Sequence, residues 1–409
     1  MASSPPRALD GVRVLDLSRV LAGPWASQFL GDLGAEVIKI ERPGAGDDTR
    51  GWGPPFLTND AGEATDAAYF LSANRNKKSV AIDIADPHGA ELVRRIATTS
   101  HVLLENFKVG GLRKYGLDYA SLAAVNPALV YCSITGFGQT GPDAPRAGYD
   151  YMIQAMGGLM SITGQPDGAA GAEPMKVGVA VADLFSGMYA AAAILAALRH
   201  AERTGEGQHV DVALFDCQIA MLANQASNYL VSGTAPGRLG NAHPNIAPYQ
   251  VFLTSDGHIV IAVGNDSQFA SFARAIGLAG LADDARYKTN RGRVGARESL
   301  VSAIAPAMRL RTTRDWLAVM EEAGVPAGPI NTIDQVFAEP QARARAMTAP
   351  LDRPDARGAA MTAHPVKYSA TPAVTDLAPP ALGSHTEEVL RDVASAEELA
   401  QLKARGVTG

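Results

Sequence analysis

The sequence predicts an α/β protein whose larger domain has a Rossmann-like, mostly parallel sheet. The first 220 residues alternate short apolar runs with helical ones, which is the pattern of βαβ units. The apolar runs are nearly continuous, as in strands that are buried on both faces. The candidate strands are "VRVLDLS", "AEVIKIE", "SVAIDI", "HVLLENF" and "ALVYCSITGF", with helices near "PWASQFLGDLG" and "GAELVRRIATTS".

The pattern changes in the second half of the chain, where a smaller α+β domain is expected. The stretch "YQVFLTSDGHIVIAVG" predicts two strands around an Asp256-Gly257 turn. A helix near "TTRDWLAVMEEAG" can be capped by Thr312 or Thr313 and ended by Gly324. We therefore predict a large domain over residues 1–224 and a small domain over 225–330. A C-terminal segment, 331–409, carries a final helix near "HTEEVLRDV" and packs back on the large domain.

Composition and charge exclude several classes of protein. The 409 residues are 47% hydrophobic and 19% charged, which suits two or three globular domains. A net charge of −6 argues against a general nucleic-acid binder. The longest apolar run, within 188–198, is shorter than the ~20 residues of a membrane span, so we expect no membrane and a cytoplasmic protein or the matrix form of an imported one. Cys132 and Cys217 form no cluster, so neither a disulfide framework nor a metal site is expected.

A glycine pattern typical of dinucleotide sites is present but is not interpreted as one. "GFGQTG", residues 136–141, satisfies G-x-G-x-x-G after a predicted strand. Pro142 follows, and "PDAPRAGYD" cannot open the helix whose N-terminus would face a pyrophosphate. The sequence therefore predicts no nicotinamide or flavin site and no permanently bound cofactor.

Basic residues cluster beside the predicted strands, where parallel sheets bind ligands. Cations in one crevice could bind the phosphates of a small anionic ligand, or they could form a solvated rim. The sequence leaves both interpretations open. The residues are Arg42 after "VIKIE", Arg75, Lys77 and Lys78 in "NRNKKS", and Lys108 and Lys114 after "LLENF".

A single acid, Asp183, interrupts the apolar stretch "VGVAVADLFSGMYAAAAILAALRH" at residues 177–200. Asp is a favoured helix N-cap, so Asp183 could simply satisfy free N–H groups at the start of an alanine-rich helix. It could instead be a reactive carboxylate at that helix end. The stretch alone does not decide between these two roles.

Successive blocks along the chain resemble the family III CoA-transferases, the group that includes formyl-CoA transferase and the carnitine CoA-transferases. The resemblance is carried by "LDLSRVLAGPWASQFLGDLGAEVIKIERPGAGDDTRGWGPPF", "YFLSANRNKKSVAIDI", "LLENFKVGGLRKYGL", "YCSITGFGQTGP", "GYDYMIQAMGGLMSITG", "VADLFSG" and "RTGEGQHVDVALFD". It continues to "LGSHTEEVL", so it covers nearly the whole chain. Within the family, "GAGDDTRGWGPPF", "YKTNRGRV" and "GPIN...VFAEPQ" look closest to the succinate–hydroxymethylglutarate CoA-transferases, which act on dicarboxylates.

The resemblance implies that Asp183 is the nucleophile of an acyl-CoA:carboxylate CoA-transferase. A carboxylate is ionised at neutral pH and needs no base to attack a thioester. The resemblance also implies contacts to coenzyme A and an interlaced homodimer, with acyl-CoA and a free acid as substrates. The implied CoA contacts are Leu21, Ala22, Arg42, Ile82, Asn106, Phe107 and Lys114; formyl-CoA transferase has a glutamine where Leu21 stands.

Acceptor contacts are predicted at Trp52, Tyr69 and Tyr149, which match active-site positions of the family, and at Arg50 and His243. A dicarboxylate brings a second carboxylate that would need a cation, and Arg50 in "DDTRGW" is the first candidate. Arg50 could instead pair with Asp47 or Asp48 on the surface. Related racemases have a histidine where this chain has Tyr149, so residue 149 distinguishes CoA transfer from the alternative, α-proton exchange with Asp183 as a base. A CoA-binding scaffold without activity is a third possibility.

Overall fold

The computed structural model describes residues 6–356 and 358–409, which form two compact units. Within the described chain, the first unit contains residues 6–158, 177–222 and 340–409, and the second contains 159–176 and 223–339. The sequence predicts domain boundaries after residues 224 and 330, whereas the structure has them after residues 222 and 339. The segment 159–176, which the sequence analysis left in the large domain, belongs to the second unit.

The strands and helices are numbered in chain order. The strands are β1 (Arg13–Asp16), β2 (Glu36–Glu41), β3 (Phe56–Thr58), β4 (Ala64–Ala67), β5 (Lys77–Ala81), β6 (Val102–Glu105), β7 (Val130–Thr135), β8 (Gln208–Ala213), β9 (Tyr249–Leu253), β10 (His258–Ala262), β11 (Ala327–Pro329), β12 (Thr348–Pro350) and β13 (Ala360–Thr362). The helices are α1 (Ala22–Asp32), α2 (Ala68–Ser72), α3 (Pro87–Thr98), α4 (Tyr119–Ala123), α5 (Asp150–Met156), α6 (Leu159–Ile162), α7 (Val181–Thr204), α8 (Leu214–Met221), α9 (Ala223–Ser232), α10 (Asp266–Ala275), α11 (Gly280–Asp283), α12 (Asn290–Gly295), α13 (Arg297–Met308), α14 (Thr313–Glu322), α15 (Ile333–Ala338), α16 (Pro340–Ala344), α17 (Thr386–Leu390) and α18 (Ala396–Ala404).

Six strands of the first unit form one parallel sheet in the order β5-β2-β1-β6-β7-β8. In the centre of the sheet, Val14 lies opposite Val37 on one side and Val102 on the other. The predicted α/β class is confirmed, because all five apolar runs contain a strand of this sheet.

Helices cover both faces of the sheet because successive side chains of a strand point to opposite sides. Val14 packs in a buried cluster with residues of α1 and α7, whereas Leu15 packs in a second cluster with α3 and the C-terminal helices. The two clusters form the core of the first unit and hold the carboxyl ends of the strands in place.

The 24-residue helix α7 is long and apolar enough to cross a membrane by length and composition alone. The sequence analysis missed this, because it counted only the run within 188–198. Half of the apolar window of α7 is buried, and residues such as Ala190 and Ile194 are fully enclosed in the first core cluster. It is a core helix of the first unit and not a membrane span.

The second unit contains a three-stranded antiparallel sheet in the order β11-β10-β9. The β9–β10 hairpin turns at the predicted Asp256-Gly257 position. Thr312 caps α14 by accepting a hydrogen bond from the N–H of Asp315 at 3.1 Å, and Gly324 follows the helix with φ 66°. Helices α10, α13 and α14 pack on this sheet around Phe269, Ile304 and other buried side chains.

The chain returns to the first unit at Pro340 and ends there. Two helices, α17 and α18, pack on the second core cluster, and Thr408 pairs with Ile82 beside the parallel sheet. The sequence predicted a helix near "HTEEVLRDV", where α17 lies, but it did not predict α18.

Candidate active site

Asp183 lies in the first turn of α7 but does not cap that helix. The N-cap position is Ala180, which makes no side-chain cap. The cap comes from Asp150, whose Oδ1 accepts hydrogen bonds from the N–H of Ala182 at 2.8 Å and the N–H of Asp183 at 3.4 Å. The interpretation of Asp183 as a helix cap is therefore wrong, and its carboxylate needs another explanation.

The electrostatic environment of Asp183 is unusual for a carboxylate. Asp183 is only 8% exposed, and its side chain makes no hydrogen bond or ion pair within the described residues. Burial, together with the negative charge of Asp150, raises the pKa of Asp183 to about 7. Such a carboxylate is poorly solvated when ionised, which is a common property of catalytic groups.

The start of α7 lies close to the loop between β1 and α1, residues 17–21, which we call the β1–α1 loop. A Cβ atom at Gly187, one turn after Asp183, would lie 2.6 Å from the carbonyl oxygen of Ala22. Only glycine fits at this contact, because real Cβ atoms do not approach other atoms so closely. Gly187 therefore lets α7 bring Asp183 to the end of this loop.

A cavity of about 450 Å³ opens at the carboxyl ends of β1, β6 and β7, entirely within the first unit. In parallel sheets this edge is the usual place for a ligand. Seven of the predicted site residues line it: Leu21, Ala22, Asn106, Phe107, Lys114, Tyr149 and Asp183.

Four basic side chains line the same cavity: Arg19, Lys108, Lys114 and Arg146. Arg19 pairs with Asp48 at 2.8 Å and Arg146 with Asp143 at 3.1 Å, and both pairs are about half exposed to solvent. Lys108 and Lys114 have no ion pair among the described residues. Exposed cations on a cavity wall can bind phosphate groups.

Asn106 and Phe107 follow β6 and contact the β1–α1 loop. Asn106 accepts a hydrogen bond from the N–H of Arg19 at 2.9 Å and donates one to the carbonyl of Arg19 at 2.6 Å. The guanidinium of Arg19 lies 5.8 Å from the centre of the Phe107 ring. The amide of Asn106 is thus occupied by the loop, so its contribution to the cavity is to position that loop.

Two predicted CoA contacts lie outside the cavity wall. Arg42 is exposed, and its side chain makes no hydrogen bond or ion pair within the described part of the chain. Ile82 is 1% exposed and packs in the second core cluster beneath the C-terminal segment, so it presents no surface to a ligand in this chain. The expected CoA contact at Ile82 stays a prediction, and the burial of its side chain does not support it.

The basic residues of "NRNKKS" do not form a ligand site. They stand at the beginning of β5 rather than after its end, and the guanidinium of Arg75 pairs with Asp32 at 2.5 Å. The ammonium of Lys77 is completely buried against Asp16 at 3.3 Å, and Lys78 pairs with Glu36 and Glu388. This part of the predicted cluster is wrong because each cation already has a carboxylate partner, buried for Arg75 and Lys77 and partly exposed for Lys78.

Arg50 is a structural residue of the first unit. Its guanidinium donates two hydrogen bonds to Glu41 at 2.7 and 2.8 Å, one to Asp66 at 2.8 Å and one to the carbonyl of Pro380 at 3.1 Å. It also stacks on Phe70, with 3.7 Å to the ring centre. With its N–H groups occupied, Arg50 is not available for an acceptor carboxylate, and its partners are not Asp47 or Asp48.

The predicted aromatic residues fall in two places. Trp52 and Tyr69 contact each other edge to face at 5.4 Å, and Trp52 is 44% exposed. Burial, and then the charges of Asp183 and Asp150, raise the pKa of the Tyr69 phenol, so this ring lies within electrostatic reach of Asp183. Tyr149, on the cavity wall beside α5, is 65% exposed.

Comparison with known proteins places this geometry in a family. The family model described as "CoA-transferase family III" matches residues 9–386. The chain belongs to CoA-transferase family III. It is 52% identical to the succinate–glutarate CoA-transferase of Agrobacterium fabrum over 97% of this chain and 98% of that protein. It is 45% identical to the succinyl-CoA:glutarate CoA-transferase of Mus musculus over 96% of this chain and 88% of that protein.

Among solved structures, a CAIB/BAIF family protein from Brucella suis superposes with a TM-score of 0.83. Its sequence is 50% identical, and the match covers 95% of this chain and all of that one. The predicted family, the CoA-transferase activity and the closeness to dicarboxylate CoA-transferases are confirmed.

In this family III CoA-transferase, His243 belongs to the second unit. Its Nδ1 accepts a hydrogen bond from the N–H of Asn245 at 3.1 Å, and its ring lies 5.2 Å from that of Tyr249. The carbonyl of His243 accepts a hydrogen bond from Arg297 at 2.7 Å. A substrate contact at His243 stays a prediction.

Sequence analysis missed Asp150, Arg19 and Arg146 at the candidate active site. Asp150 opens α5 directly after Tyr149 but stands 33 residues before Asp183, so its role as cap for α7 has no local signal. Arg19 follows β1 in "DLSRV", and its place after a strand end was a usable signal. Arg146 lies in the "PDAPRAG" loop, whose path the sequence does not fix.

Proposed function

We propose that this CoA-transferase moves coenzyme A from a dicarboxyl-CoA donor, such as succinyl-CoA or glutaryl-CoA, to a free dicarboxylic acid through Asp183. The observation that carries the proposal is the Asp183 carboxylate. It is buried at the wall of a cavity that also carries four cations, and no other group of the described chain neutralises it. The dicarboxylate class is supported by the names of the relatives from Agrobacterium fabrum and Mus musculus.

The first half of the reaction forms an enzyme-bound thioester. A carboxylate oxygen of Asp183 attacks the thioester carbonyl of the donor, and the C–S bond breaks. The CoA thiolate departs, and Asp183 and the donor acyl group are joined in a mixed anhydride. The thiolate then attacks the aspartyl carbonyl of that anhydride. The C–O bond to the donor acyl group breaks, the donor acid leaves as a carboxylate, and Asp183 carries CoA as a thioester.

The second half of the reaction reverses these steps with the acceptor acid. The acceptor carboxylate attacks the aspartyl thioester, and the thiolate leaves and then attacks the acceptor carbonyl of the new anhydride. The product acyl-CoA departs and the Asp183 carboxylate is restored. No proton is gained or lost overall, so the site needs no separate acid or base.

Backbone N–H groups support the anionic species in this scheme. Asp183 stands at the positive end of α7, where negative charge is stabilised. Leu21 and Ala22 line the cavity wall, and their backbone N–H groups have no acceptor within the described residues. Groups of this kind can stabilise the oxyanions that form at the reacting carbonyls.

Binding of the CoA phosphates is assigned to the exposed cations on the cavity wall. Lys108 and Lys114 are the first candidates, because neither is already paired in the described chain. A CoA contact at Arg42 stays a prediction. Its position outside the cavity wall does not support that contact. The chemistry itself uses only CoA and the two acids.

The alternative, α-proton exchange, finds little support at residue 149. That reaction needs a second acid–base group with a pKa near neutrality facing the bound acyl group. Tyr149 is a phenol and is 65% exposed. Incubation of an acyl-CoA in deuterated water would separate the two reactions, because CoA transfer leaves the α-hydrogens in place.

We also infer the interlaced homodimer that the family resemblance implies. Helix α9 of the second unit exposes two adjacent aliphatic side chains, Leu230 at 79% and Val231 at 89%, which a partner chain could cover. Light scattering on the purified protein tests this inference, and a monomer at micromolar concentration would contradict it.

The nucleophile is tested by the variant Asp183→Asn, which keeps the shape of the side chain. Turnover should fall by at least about a thousandfold, because the amide cannot attack the thioester. Asp216 is a matched control: it also stands at the third position of a helix, α8, but it is exposed. Asp216→Asn should keep activity within about twofold. Retention of more than about a tenth of activity in Asp183→Asn would disprove the role of Asp183.

A further inference from the structure

Side chains, rather than backbone hydrogen bonds, hold the middle of the β1–α1 loop, residues 18–20. The N–H of Ser18 donates to Asp16 at 2.8 Å, and the Ser18 carbonyl accepts a hydrogen bond from Nζ of Lys39 at 2.8 Å. Arg19 is held through both its N–H and its carbonyl by the amide of Asn106. The loop is therefore fixed from two sides, by Lys39 of β2 and by Asn106 after β6.

Val20 has a conformation that needs such support. Its φ is 72°, in the left-handed region that a β-branched residue rarely adopts. A non-glycine residue stays there only when its surroundings hold it. The contact that holds it is made by Asp47, whose two carboxylate oxygens lie 3.2 and 3.3 Å from the Val20 nitrogen.

Asp47 is itself fixed by a buried ion pair. Nζ of Lys39 lies 2.9 Å from Oδ2 of Asp47, and both side chains are completely buried. Burial would raise the pKa of Asp47, but Lys39 and the N–H of Thr49 lower it to about 2, so the carboxylate is ionised at neutral pH. The Lys39–Asp47 pair thus contacts the loop twice, through the Ser18 carbonyl and through the Val20 N–H.

This arrangement has a consequence for catalysis. Val20, Leu21 and Ala22 line the cavity together with Asp183. Relaxation of Val20 to negative φ would rotate the peptide between Val20 and Leu21 and turn its N–H relative to the reacting carbonyl. Misplacement by about 1 Å can cost ~100-fold in rate, so the conformation of Val20 matters although its side chain takes no chemical part.

We propose that the Lys39–Asp47 pair is a positioning device that holds Val20 in its left-handed conformation and so orients the loop against Asp183. The proposal rests on the function proposed above, because it assumes that Asp183 attacks a carbonyl placed against this loop. Lys39 and Asp47 are positioning residues: they act through the backbone of Ser18 and Val20 and do not touch the substrate.

The test uses a double substitution in two backgrounds. Lys39→Met/Asp47→Ala removes both contacts without leaving an unpaired charge in the core. The same double substitution is made in a Val20→Gly background, where glycine adopts positive φ without strain. Arg75→Met/Asp32→Ala is a matched control, since it removes a buried ion pair at the other end of α1. If the first double variant does not fold, Asp47→Asn replaces it in both backgrounds.

In the Val20 background, kcat should fall by about 10- to 100-fold, with KM for the acyl-CoA within about threefold. In the Val20→Gly background, the factor by which the same substitutions lower kcat should be at least about fivefold smaller, because the loop no longer needs to be held. The control pair should lower the melting temperature and leave kcat within about threefold. A merely structural role for Lys39–Asp47 would lower kcat equally in both backgrounds, which would overturn the proposal.

Mass spectrometry of the same proteins with acyl-CoA alone separates this proposal from the function on which it rests. Both backgrounds should accumulate CoA on Asp183, more slowly after loss of the ion pair. If the wild type turns over without any CoA on Asp183, the proposed function fails. If the wild type carries CoA on Asp183 but the two backgrounds respond alike, only the positioning proposal fails.

Discussion

Oδ1 of Asp150 lies 3.4 Å from the backbone nitrogen of Asp183, so two carboxyl groups share the first turn of α7. One caps the helix and the other faces the cavity. The charge of Asp150 is the second cause, after burial, of the raised pKa of Asp183. This pair connects the local structure of the helix end to the reactivity of the nucleophile.

The first prediction concerns the pH profile of CoA transfer. Because Asp183 must be ionised to attack, activity should rise with pH through about 7 and then level off. Asp150→Asn keeps an oxygen for the cap but removes the charge, so the pKa of Asp183 falls and the rising limb should move down by about half a unit or more. The measurement is kcat/KM from about pH 5 to pH 9. An unchanged profile would show that the charge of Asp150 does not reach Asp183.

The second prediction concerns stability. The folded-state pKa of Asp183 is raised above the ordinary 3.8 to about 7. The free energy of unfolding of the wild type therefore falls as pH rises between these values. Asp183→Asn cannot lose a proton and escapes this penalty. The free energy of unfolding of the variant, minus that of the wild type, should be about 2 to 3 kcal/mol larger at pH 8 than at pH 5. Urea unfolding at both pH values measures the difference, and a gain that does not change with pH would contradict the burial of an unpaired carboxyl.

The third prediction concerns Arg50, which the sequence suggested as an acceptor contact. Arg50→Met leaves Glu41 and Asp66 without their shared cation and should destabilise the first unit by about 3 to 5 kcal/mol. Because Arg50 does not face the acceptor, kcat/KM for glutarate and for a monocarboxylate of similar length should change by the same factor. A loss of about tenfold or more that is confined to dicarboxylates, at unchanged stability, would return Arg50 to the acceptor site.

The fourth prediction concerns the close approach of α7 to the β1–α1 loop. Gly187→Ala places a methyl group 2.6 Å from the Ala22 carbonyl oxygen, so the helix or the loop must shift. We expect kcat to fall by about tenfold or more and stability by about 1 to 3 kcal/mol. Gly178→Ala is the control, since a Cβ atom there has nothing within 4 Å. Equal activity of the two variants would show that this contact does not position Asp183.

Much of the fold could be predicted from local sequence patterns. Five of the six parallel strands are short apolar runs whose composition already indicates burial on both faces, and the β9–β10 hairpin is set by the Asp256-Gly257 pair. The sixth, β8, is partly polar and exposed, and it was not predicted. The assignment of segment 159–176 to the second unit could not be predicted, because it depends on contacts with residues far along the chain.

The candidate site shows the same division. Asp183 was visible as the lone acid of an apolar stretch, and the family blocks gave it a role. The partners of the basic residues could not be predicted. The sequence around Arg50 and Lys77 suggested that both bind a ligand, but they pair with Glu41 and Asp16, which the fold of the sheet brings close to them. Charge alone does not tell a binding cation from a buried structural one, because only tertiary contacts decide which carboxylate it meets.

The central claim is that Asp183 carries CoA during transfer. The most direct test is the intact mass of the protein after incubation with succinyl-CoA in the absence of an acceptor, followed by peptide mapping. We predict that the wild type gains the mass of CoA in thioester linkage at Asp183, and that glutarate removes it as glutaryl-CoA forms. Asp183→Asn should gain nothing. A wild-type enzyme that transfers CoA at its full rate, with no CoA on Asp183 at any time during turnover, would contradict the account.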